Sequence, residues 1–237
     1  MTRERDDKNF WNAAALQGAA WYSATKFNRE SDDFFASGAA DVDVSQRLTG
    51  MKPPKGGTLV ELGCGAGRMT RALSERSGTV IATDISAGML ERARVNLDGR
   101  SNVEFIELDG DGSLPFDTDS VDAVYSYITM QHVSTAKAQE RYLVESLRVV
   151  RPGGWVVLHL RRTGLRAVAL DTRANVANFL CGHNTLRQAW RGARLPESTV
   201  RSYRTDDVSI DILRSDPRHV WVVARRQVAP MEFGMDQ

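Results

Sequence analysis

A short apolar run that ends in three alternating glycines constrains the fold of this chain more than any other feature. Residues 59–67 have the sequence Leu-Val-Glu-Leu-Gly-Cys-Gly-Ala-Gly, and a helical pattern follows over residues 68–76. Glycine lets the backbone turn sharply and lets a ligand approach closely, because it carries no Cβ atom. The order of strand, glycine turn and helix therefore predicts a nucleotide-type binding site at the end of the first strand.

The spacing of the glycines distinguishes two kinds of nucleotide site. A dinucleotide-binding loop has the pattern G-x-G-x-x-G, whereas residues 61–67 have E-x-G-x-G-x-G. This pattern resembles motif I of the class I S-adenosylmethionine (SAM) methyltransferases. The resemblance implies that Glu61 helps to hold the methionine ammonium of SAM and that Gly63, Gly65 and Gly67 surround its methionine and ribose. The same spacing disfavours an NAD-dependent oxidoreductase.

The second strand and the helix after it extend the resemblance. Residues 79–83 are mostly β-branched and apolar, and Asp84 follows them. A carboxylate at this place in a Rossmann-like fold accepts the ribose hydroxyls, and we expect this of Asp84. Ser86 is a suitable helix N-cap, and the pattern directs Met89 and Leu90 inward. The family commonly has D-x-S-x-x-M-L-x-x-A in this place, and the segment matches it.

Later segments complete the family pattern in the same order. A third strand over residues 103–106 leads to a segment that resembles the family's G-D-A-x-x-L-P-F, with Gly112 where alanine is usual. The resemblance implies that Asp111 accepts the adenine amino group and that the N–H of Gly112 faces a ring nitrogen. A fourth strand over Val121–Ser126 follows, and residues 148–158 contain a Pro-Gly-Gly turn before strand five.

Other residues beside these motifs are predicted to contact the cofactor. Cys64 lies inside the glycine loop, where lining or packing is favoured over redox chemistry, since two cysteines cannot build a disulfide framework. Tyr22 belongs to an aromatic N-terminal helix that would fold over the site. The remaining predicted contacts are Ile85, Met89 and Ser126.

The motifs together predict an α/β fold with a Rossmann-like, seven-stranded, mostly parallel sheet and helices on both faces. Val208–Leu213 and His219–Ala224 are expected to form an antiparallel last strand pair. A second N-terminal helix should begin at Ser31. The predicted regions are N-terminal helices covering the cleft (1–57), the methyltransferase domain (58–226), a helical, substrate-facing insertion within it (164–204) and a flexible tail (227–237).

Composition is that of an ordinary globular protein, with 42% hydrophobic and 26% charged residues and a net charge of +1. No apolar stretch approaches the roughly 18 residues that span a bilayer. The charged N-terminal residues 1–8 have no apolar region after them, which predicts no signal peptide. A cytoplasmic protein with no membrane partner is therefore expected, and the oligomeric state stays open.

The segment 161–204 is rich in arginine, with nine arginines against Asp171 and Glu197. One hypothesis is an electropositive wall for an anionic acceptor, because guanidinium groups bind phosphates and carboxylates. The alternative is a solvated helix face in a chain that uses arginine much more than lysine. The arginines are Arg161, Arg162, Arg166, Arg173, Arg187, Arg191, Arg194, Arg201 and Arg204.

Two histidines are candidates for a general base. His132 follows strand four and His159 lies near the carboxyl end of strand five, so both are expected to overlook the cleft. An oxygen acceptor must lose a proton during methyl transfer, and histidine titrates near physiological pH. A structural hydrogen-bonding role is an equal alternative. His183 and His219 are interpreted as surface residues, and the histidines and cysteines show no metal-ligand spacing.

The leading hypothesis is a SAM-dependent methyltransferase acting on an oxygen or nitrogen of a small molecule, such as a sugar, a natural product or another anionic metabolite, with S-adenosylhomocysteine as product. The core resembles the broad group of ubiquinone-biosynthesis and natural-product or sugar methyltransferases. A nucleic-acid methyltransferase is disfavoured, because residues 126–129 have Ser-Tyr-Ile-Thr in place of the N/D-P-P-Y/F signature and no basic RNA-binding appendage is visible. A protein methyltransferase and a non-catalytic SAM-binding module remain alternatives. The sequence does not identify the acceptor.

Overall fold

The computed structural model describes residues 3–24, 27–165, 167–170, 172 and 192–228. Seven strands form one sheet in the order β3-β2-β1-β4-β5-β7-β6. The strands are β1 (Thr58–Leu62), β2 (Thr79–Asp84), β3 (Val103–Glu107), β4 (Val121–Ser126), β5 (Val150–Arg161), β6 (Val208–Leu213) and β7 (His219–Arg226). The first five strands are parallel, and β7 is antiparallel to both β5 and β6. The predicted fold class is confirmed.

The helices that the structure describes surround this sheet, and three of them begin at a side-chain cap. They are α1 (Arg3–Ser23), α2 (Asp32–Thr49), α3 (Thr70–Ser74), α4 (Ala87–Asn96), α5 (Ala136–Val149), α6 (Glu197–Ser202) and a 3₁₀ helix (Met130–His132). The hydroxyl oxygens of Ser31, Ser86 and Thr135 accept the N–H of the third residue after them, which opens α2, α4 and α5. Both serine caps were expected from the sequence.

The central strands are apolar on both sides because helices cover both faces of a mostly parallel sheet. One face contributes Val60, Leu62, Val124 and Leu158 to the larger core cluster. The opposite face contributes the alternating residues Leu59, Ala123, Tyr125 and Val157, which pack with α2 and α3. Because both faces of the central strands are buried, the polar side chains at their carboxyl ends are held on a rigid support.

The first helix is fastened to α4 by hydrogen bonds. The Asn12 side-chain oxygen accepts from the Ser86 hydroxyl at 2.8 Å and from the N–H of Gly88 at 3.2 Å. A Cβ atom at Gly88 would lie 3.0 Å from the Ala15 side chain, so the two helices approach closely there. Helix α1 is therefore held against the start of α4, next to the carboxyl end of β2.

Two predicted elements differ in extent from the structure. The helix expected over residues 68–76 is the short α3. Strand β5 begins at Val150 and includes the expected Pro-Gly-Gly turn, with a register shift against β4 between Val121 and Ala123. A Cβ atom at Gly154 would lie 2.4 Å from the Asp122 carbonyl oxygen, so this glycine permits the close approach.

Several sequence predictions lie outside the described residues. These are the helices predicted between residues 173 and 191, Cys181, His183 and the tail beyond residue 228. Among the helices of the described ranges, none is long and apolar enough to cross a membrane.

Candidate functional site

A cavity of about 990 Å³, including its open mouth, lies where the strand order reverses between β1 and β4. Open α/β sheets bind ligands at this switch point, beyond the carboxyl ends of the strands. The lining residues come from the ends of β1 and β2, from the loops after the first four strands, and from α1, α4 and α5. Among the predicted cofactor contacts, those that line the cavity are Tyr22, Glu61, Gly63, Cys64, Gly65, Asp84, Ile85 and Met89.

The glycine loop after β1 is shaped by close contact with the loop after β4. Gly63 has a φ of +77°, and a Cβ atom there would lie 2.1 Å from Cγ2 of Thr129. The Thr129 hydroxyl donates to the Gly63 carbonyl oxygen at 3.1 Å. The N–H groups of Gly63 and Cys64 both donate to the carbonyl of Thr83. Only glycine fits this position, as the motif predicted.

Glu61 is a buried acid at the carboxyl end of β1, only 4% exposed. The hydroxyl of Thr70 donates to its carboxylate at 2.6 Å. Burial raises the pKa of Glu61 to about 7, and the Thr70 hydrogen bond and the nearby charge of Arg68 oppose that rise. A buried carboxyl of this kind gains from a cation placed beside it, because the cation compensates for the lost hydration of the ionised form.

Asp84 occupies the corresponding place at the end of β2. One of its oxygens accepts the N–H of Gly65 and the other accepts the N–H of Ser86, each at 2.9 Å. Burial raises the pKa of Asp84 to about 6, although these backbone hydrogen bonds favour the ionised form. Since a carboxylate offers about four lone-pair directions, Asp84 can accept two more hydrogen bonds while it continues to hold the glycine loop.

Arg68, which the sequence reasoning did not select, also lines the cavity. It is 6% exposed and donates to Asp41 at 2.7 Å and to Ser37 at 3.2 Å, both on α2. The guanidinium is therefore paired and joins the helix after the glycine loop to the N-terminal region. Its position directly after the last motif glycine could have indicated that it lies at the site. A single arginine is not a distinctive signal, however, in a chain this rich in arginine.

The other predicted cofactor residues do not line this cavity. The Asp111 carboxylate accepts from Ser113 and from Arg141, both at 2.5 Å, and these contacts hold its pKa below the usual value. Leu108 and Gly110 of the same loop line the cavity instead. The adenine-binding role of Asp111 stays a prediction.

The remaining three predicted cofactor contacts, Gly67, Gly112 and Ser126, pack against neighbouring residues. A Cβ atom at Gly67 would lie 2.9 Å from the side chain of Leu97, and one at Gly112 would lie 2.6 Å from the carbonyl oxygen of Ala138. Ser126 is fully buried, and its hydroxyl donates to the carbonyl of Leu62. These contacts explain the residue types without a ligand.

The structure separates the two candidate bases. His132 lines the cavity, and its ring contacts the Trp11 ring edge-on at 5.1 Å. Gln131 donates from its amide nitrogen to Nε2 of His132 at 3.2 Å. His159 does not line the cavity. It is 6% exposed, and its ring lies against Tyr127 and Trp221, at 5.1 Å and 4.5 Å.

The surroundings of His159 keep it neutral. Burial and the neighbouring His219 lower the pKa of His159 to about 3. A base of such a low pKa has little affinity for a proton, so the geometry and the electrostatics both favour His132 over His159 as the group that faces an acceptor. The catalytic role of either residue stays a prediction.

His219 was interpreted as a surface residue, and this is wrong. Its side chain is only 13% exposed, and it contacts Asp216, Gln131 and the ring of His159. The expectation failed because nothing in the sequence indicates that a histidine at the start of the second strand of a hairpin will be buried. The structure shows that β5 is paired with β7, which encloses it.

The described arginines of the segment 161–204 do not form a wall of this cavity. Arg161 donates to the Gly192 carbonyl at 3.2 Å, and Arg194 donates to the Arg162 carbonyl at 2.5 Å. Arg204 bonds to the Ile210 carbonyl. Arg201 is exposed, and Arg166, Arg173, Arg187 and Arg191 lie outside the described residues or have no described side chain.

The sequence reasoning selected Tyr22 of α1 and His132 after β4 but missed other residues of the same two segments. Asp7 and Trp11 line the cavity, and the Asp7 carboxylate accepts the N–H of Ser134 at 3.2 Å. Ile128 also lines it and has a φ of +63°, a strained value for a β-branched residue. No local pattern shows which helix positions will face a distant loop, so these residues had no usable signal.

With this geometry established, comparison with known proteins shows which proteins the chain is similar to. Residues 60–158 match the model of the methyltransferase domain. The class I SAM methyltransferase resemblance of the glycine motif is thereby confirmed, and the matched residues include every strand end that lines the cavity.

Curated relatives agree with this family. The chain is 39% identical over 106 residues to a demethylmenaquinone methyltransferase of Clavibacter sepedonicus, covering 45% of this chain and 42% of that protein. It is 32% identical over 142 residues to a malonyl-[acyl-carrier protein] O-methyltransferase of Serratia marcescens, covering 60% of this chain and 53% of that protein. The chain thus spans about half the length of the curated relatives it matches.

Solved structures share the fold over a larger part of the chain. A DhpI–SAM–HEP complex superposes with a TM-score of 0.60 at 21% identity and covers 92% of this chain and 94% of that one. A methyltransferase-like protein of Bacillus halodurans superposes with a TM-score of 0.58 at 14% identity and covers 80% of this chain and all of that one. At these identities the likeness establishes the fold alone.

Proposed function

We propose that the chain is a SAM-dependent methyltransferase that acts on a small molecule. One observation carries the proposal: two buried acids, Glu61 and Asp84, flank a glycine loop at the switch point of a methyltransferase domain. Both acids have a raised pKa and line the same cavity. A ligand with a positive charge and a pair of hydroxyl groups fits this combination.

The roles of the cofactor-binding residues follow from their contacts. Glu61 would hold the methionine ammonium, because its buried carboxylate lacks an equal counter-charge within the cavity wall. Asp84 would accept the ribose hydroxyls with the lone pairs that the loop leaves unused. Gly63 and Gly65 bring the backbone close enough for both, and Met89 and Leu108 supply apolar surface. SAM itself supplies an electrophilic methyl group on a sulfonium.

The remaining work of the protein is alignment. An acceptor atom has to lie in line behind the sulfur–methyl bond at about 3 Å, and holding it there removes most of the entropic barrier. Trp11, whose ring contacts His132, and Tyr127 line the cavity and would hold the acceptor. If the acceptor is a hydroxyl, His132 would remove its proton. An amine that arrives neutral would need only alignment.

The proposal names the acceptor only as a small molecule and gives no narrower class. The names of the relatives include both O- and N-methyltransferases, since a phosphoethanolamine N-methyltransferase of Arabidopsis thaliana is 28% identical over 125 residues. The charged groups lining the cavity include Asp7, Glu61 and Asp84 against Arg68, which Asp41 already pairs. The charges that line the cavity therefore give no support to the anionic acceptor that the arginine segment suggested.

Calorimetry with SAM, S-adenosylhomocysteine and NAD tests the proposal. We expect saturable binding of the first two and none of NAD, because the glycine spacing is not that of a dinucleotide site. If SAM does not bind, the proposal fails. If it binds but no acceptor is methylated in a screen of hydroxyl and amine metabolites, the non-catalytic SAM-binding module becomes the better interpretation.

A further inference from the structure

Three side chains with metal-ligand atoms meet on the sheet beside the cavity. They are His159 of β5, His219 of β7 and Asp216 of the turn between β6 and β7. Their candidate ligand atoms all lie within 4.8 Å of one another, and among the described residues this is the one such group of three. The β5–β7 register pairs His159 with Trp221 and His219 with Arg161, so both histidines lie on one face of the sheet.

His159 provides the first independent indication of a ligand. Its side chain is buried, and its Nδ1 atom has no hydrogen-bond partner. A buried polar nitrogen without a partner costs free energy and calls for an explanation. The ring packs against Tyr127 and Trp221, which are stacked on each other. An imidazole that is neutral, fixed and unpartnered is the form that binds a metal ion.

His219 provides the second indication through its tautomer. Its Nε2 lies 3.0 Å from the side-chain oxygen of Gln131, which can only accept, so Nε2 carries a hydrogen. Its Nδ1 lies 3.2 Å from both carboxylate oxygens of Asp216. With its hydrogen on Nε2, His219 presents Nδ1 to the carboxylate, and these atoms are spaced as two ligands of one tetrahedral metal ion would be.

Asp216 is already held in the orientation that a ligand needs. One of its oxygens accepts the N–H groups of Arg218 and His219, at 2.7 Å and 2.9 Å. Metal-bound histidines usually donate their other ring N–H to an oxygen, which fixes the tautomer. The bond from His219 to Gln131 has this form.

We propose that His159, His219 and Asp216 bind a divalent zinc-type cation. Two imidazoles and a carboxylate are a ligand set that suits Zn²⁺ and leaves a fourth position for water. Tetrahedral bonds of about 2.0–2.1 Å place donor atoms roughly 3.4 Å apart. The His219 and Asp216 atoms already have this separation, so the His159 ring is the group that has to approach.

The ion would join the hairpin of β6 and β7 to the sheet and would lie one ring away from the cavity. Tyr127 contacts His159 and lines the cavity, while Gln131 connects His219 to His132. The site is therefore a structural support for the wall that carries His132. Arg161, the cross-strand partner of His219, places a positive charge nearby, and for this reason we expect micromolar rather than tighter affinity.

Zinc binding to the chelator-treated chain tests the proposal without any methyl transfer. We expect calorimetry at neutral pH to show one Zn²⁺ per chain and Co²⁺ to give a tetrahedral absorption spectrum, whereas Mg²⁺, which prefers oxygen ligands, should not bind. His159→Gln, His219→Gln and Asp216→Asn should each weaken zinc binding at least tenfold, since even residues behind a ligand cost about 10–100-fold. Asp211→Asn, an exposed carboxylate of the same hairpin that pairs with Arg225, is the matched control and should keep the affinity.

Each outcome decides the question. Asp216→Asn keeps the size of a partly exposed side chain, so it remains informative if a histidine variant does not fold, which circular dichroism would reveal. Absence of saturable zinc binding to the folded wild-type chain would overturn the proposal. Zinc binding that persists in all three variants would overturn it too, because the ion would then lie elsewhere.

Discussion

Replacing Gly63 by alanine should destabilise the chain far more than the same change at Gly56. The two glycines have nearly the same backbone conformation, with φ values of +77° and +78°. Both variants therefore carry the same backbone penalty, roughly 1–2 kcal/mol for an L-residue in the left-handed region. Their surroundings differ. A Cβ atom at Gly63 would lie 2.1 Å from Cγ2 of Thr129, whereas one at Gly56 meets nothing within 4 Å.

The difference between the variants measures the contact with Thr129. Forcing an extra carbon into a well-packed site typically costs about 1–3 kcal/mol. We therefore expect Gly63→Ala to lose about 2–5 kcal/mol of unfolding free energy in total, against about 1–2 kcal/mol for Gly56→Ala. In a chain of this size each kcal/mol lowers the melting temperature by about 2–4 °C.

Scanning calorimetry and SAM titration of both variants provide the assay. Gly63→Ala should also weaken SAM binding, because its added methyl displaces the loop that lines the cavity, and Gly56→Ala should not. The double variant Gly63→Ala/Thr129→Gly should recover part of the loss, since all three atoms within 2.7 Å belong to the Thr129 side chain. Equal melting temperatures and equal SAM affinities for the two single variants would refute the reasoning.

Three other predictions concern the chemistry of the site. SAM affinity should rise by up to tenfold per pH unit between about pH 5 and 7 and then level off. The reason is that Glu61 has a pKa of about 7 when the site is free and is ionised beside a bound ammonium. Calorimetry on Glu61→Gln should show no change of SAM affinity between pH 6 and 7. Asp84→Ala should weaken SAM by at least tenfold and Asp84→Asn by less, because asparagine keeps an acceptor; full affinity in both variants would contradict the ribose-binding role. For a hydroxyl acceptor, His132→Ala should lower kcat by about 10²–10⁴ with SAM affinity nearly unchanged, and kcat of the wild type should rise with pH as the imidazole loses its proton; an unchanged kcat would exclude His132 as the base.

Features coded by neighbouring residues were predictable from the sequence. The glycine loop, the acids at the ends of β1 and β2, and the Ser86 cap each depend on a few consecutive residues whose physical requirements are strict. Gly63 must be glycine because of its φ and its neighbour, and Ser86 caps a helix wherever a helix starts. The strand order followed because these local patterns occurred in the order of a known family.

Features that depend on register between distant segments were not predictable. His159 and His219 are 60 residues apart and meet only because β7 inserts between β5 and β6. Asp7 reaches the loop after β4 only because Asn12 fastens α1 to the start of α4. Single-sequence patterns describe which face of an element is apolar, but they do not give the rotation of a helix on its support.

The raised pKa values of Glu61 and Asp84 connect the stability of the fold to its proposed ligand. Their pKa values rise from 4.5 to about 7 and from 3.8 to about 6, so the folded chain holds more protons than the unfolded chain between about pH 4 and 7. Stability contributed by these groups is therefore lost as the pH rises through that window. A positively charged ligand restores it by favouring the ionised carboxylates. The empty site therefore contributes least to stability at the pH where both acids are charged. At that same pH a cofactor with a sulfonium and an ammonium group would be held most strongly.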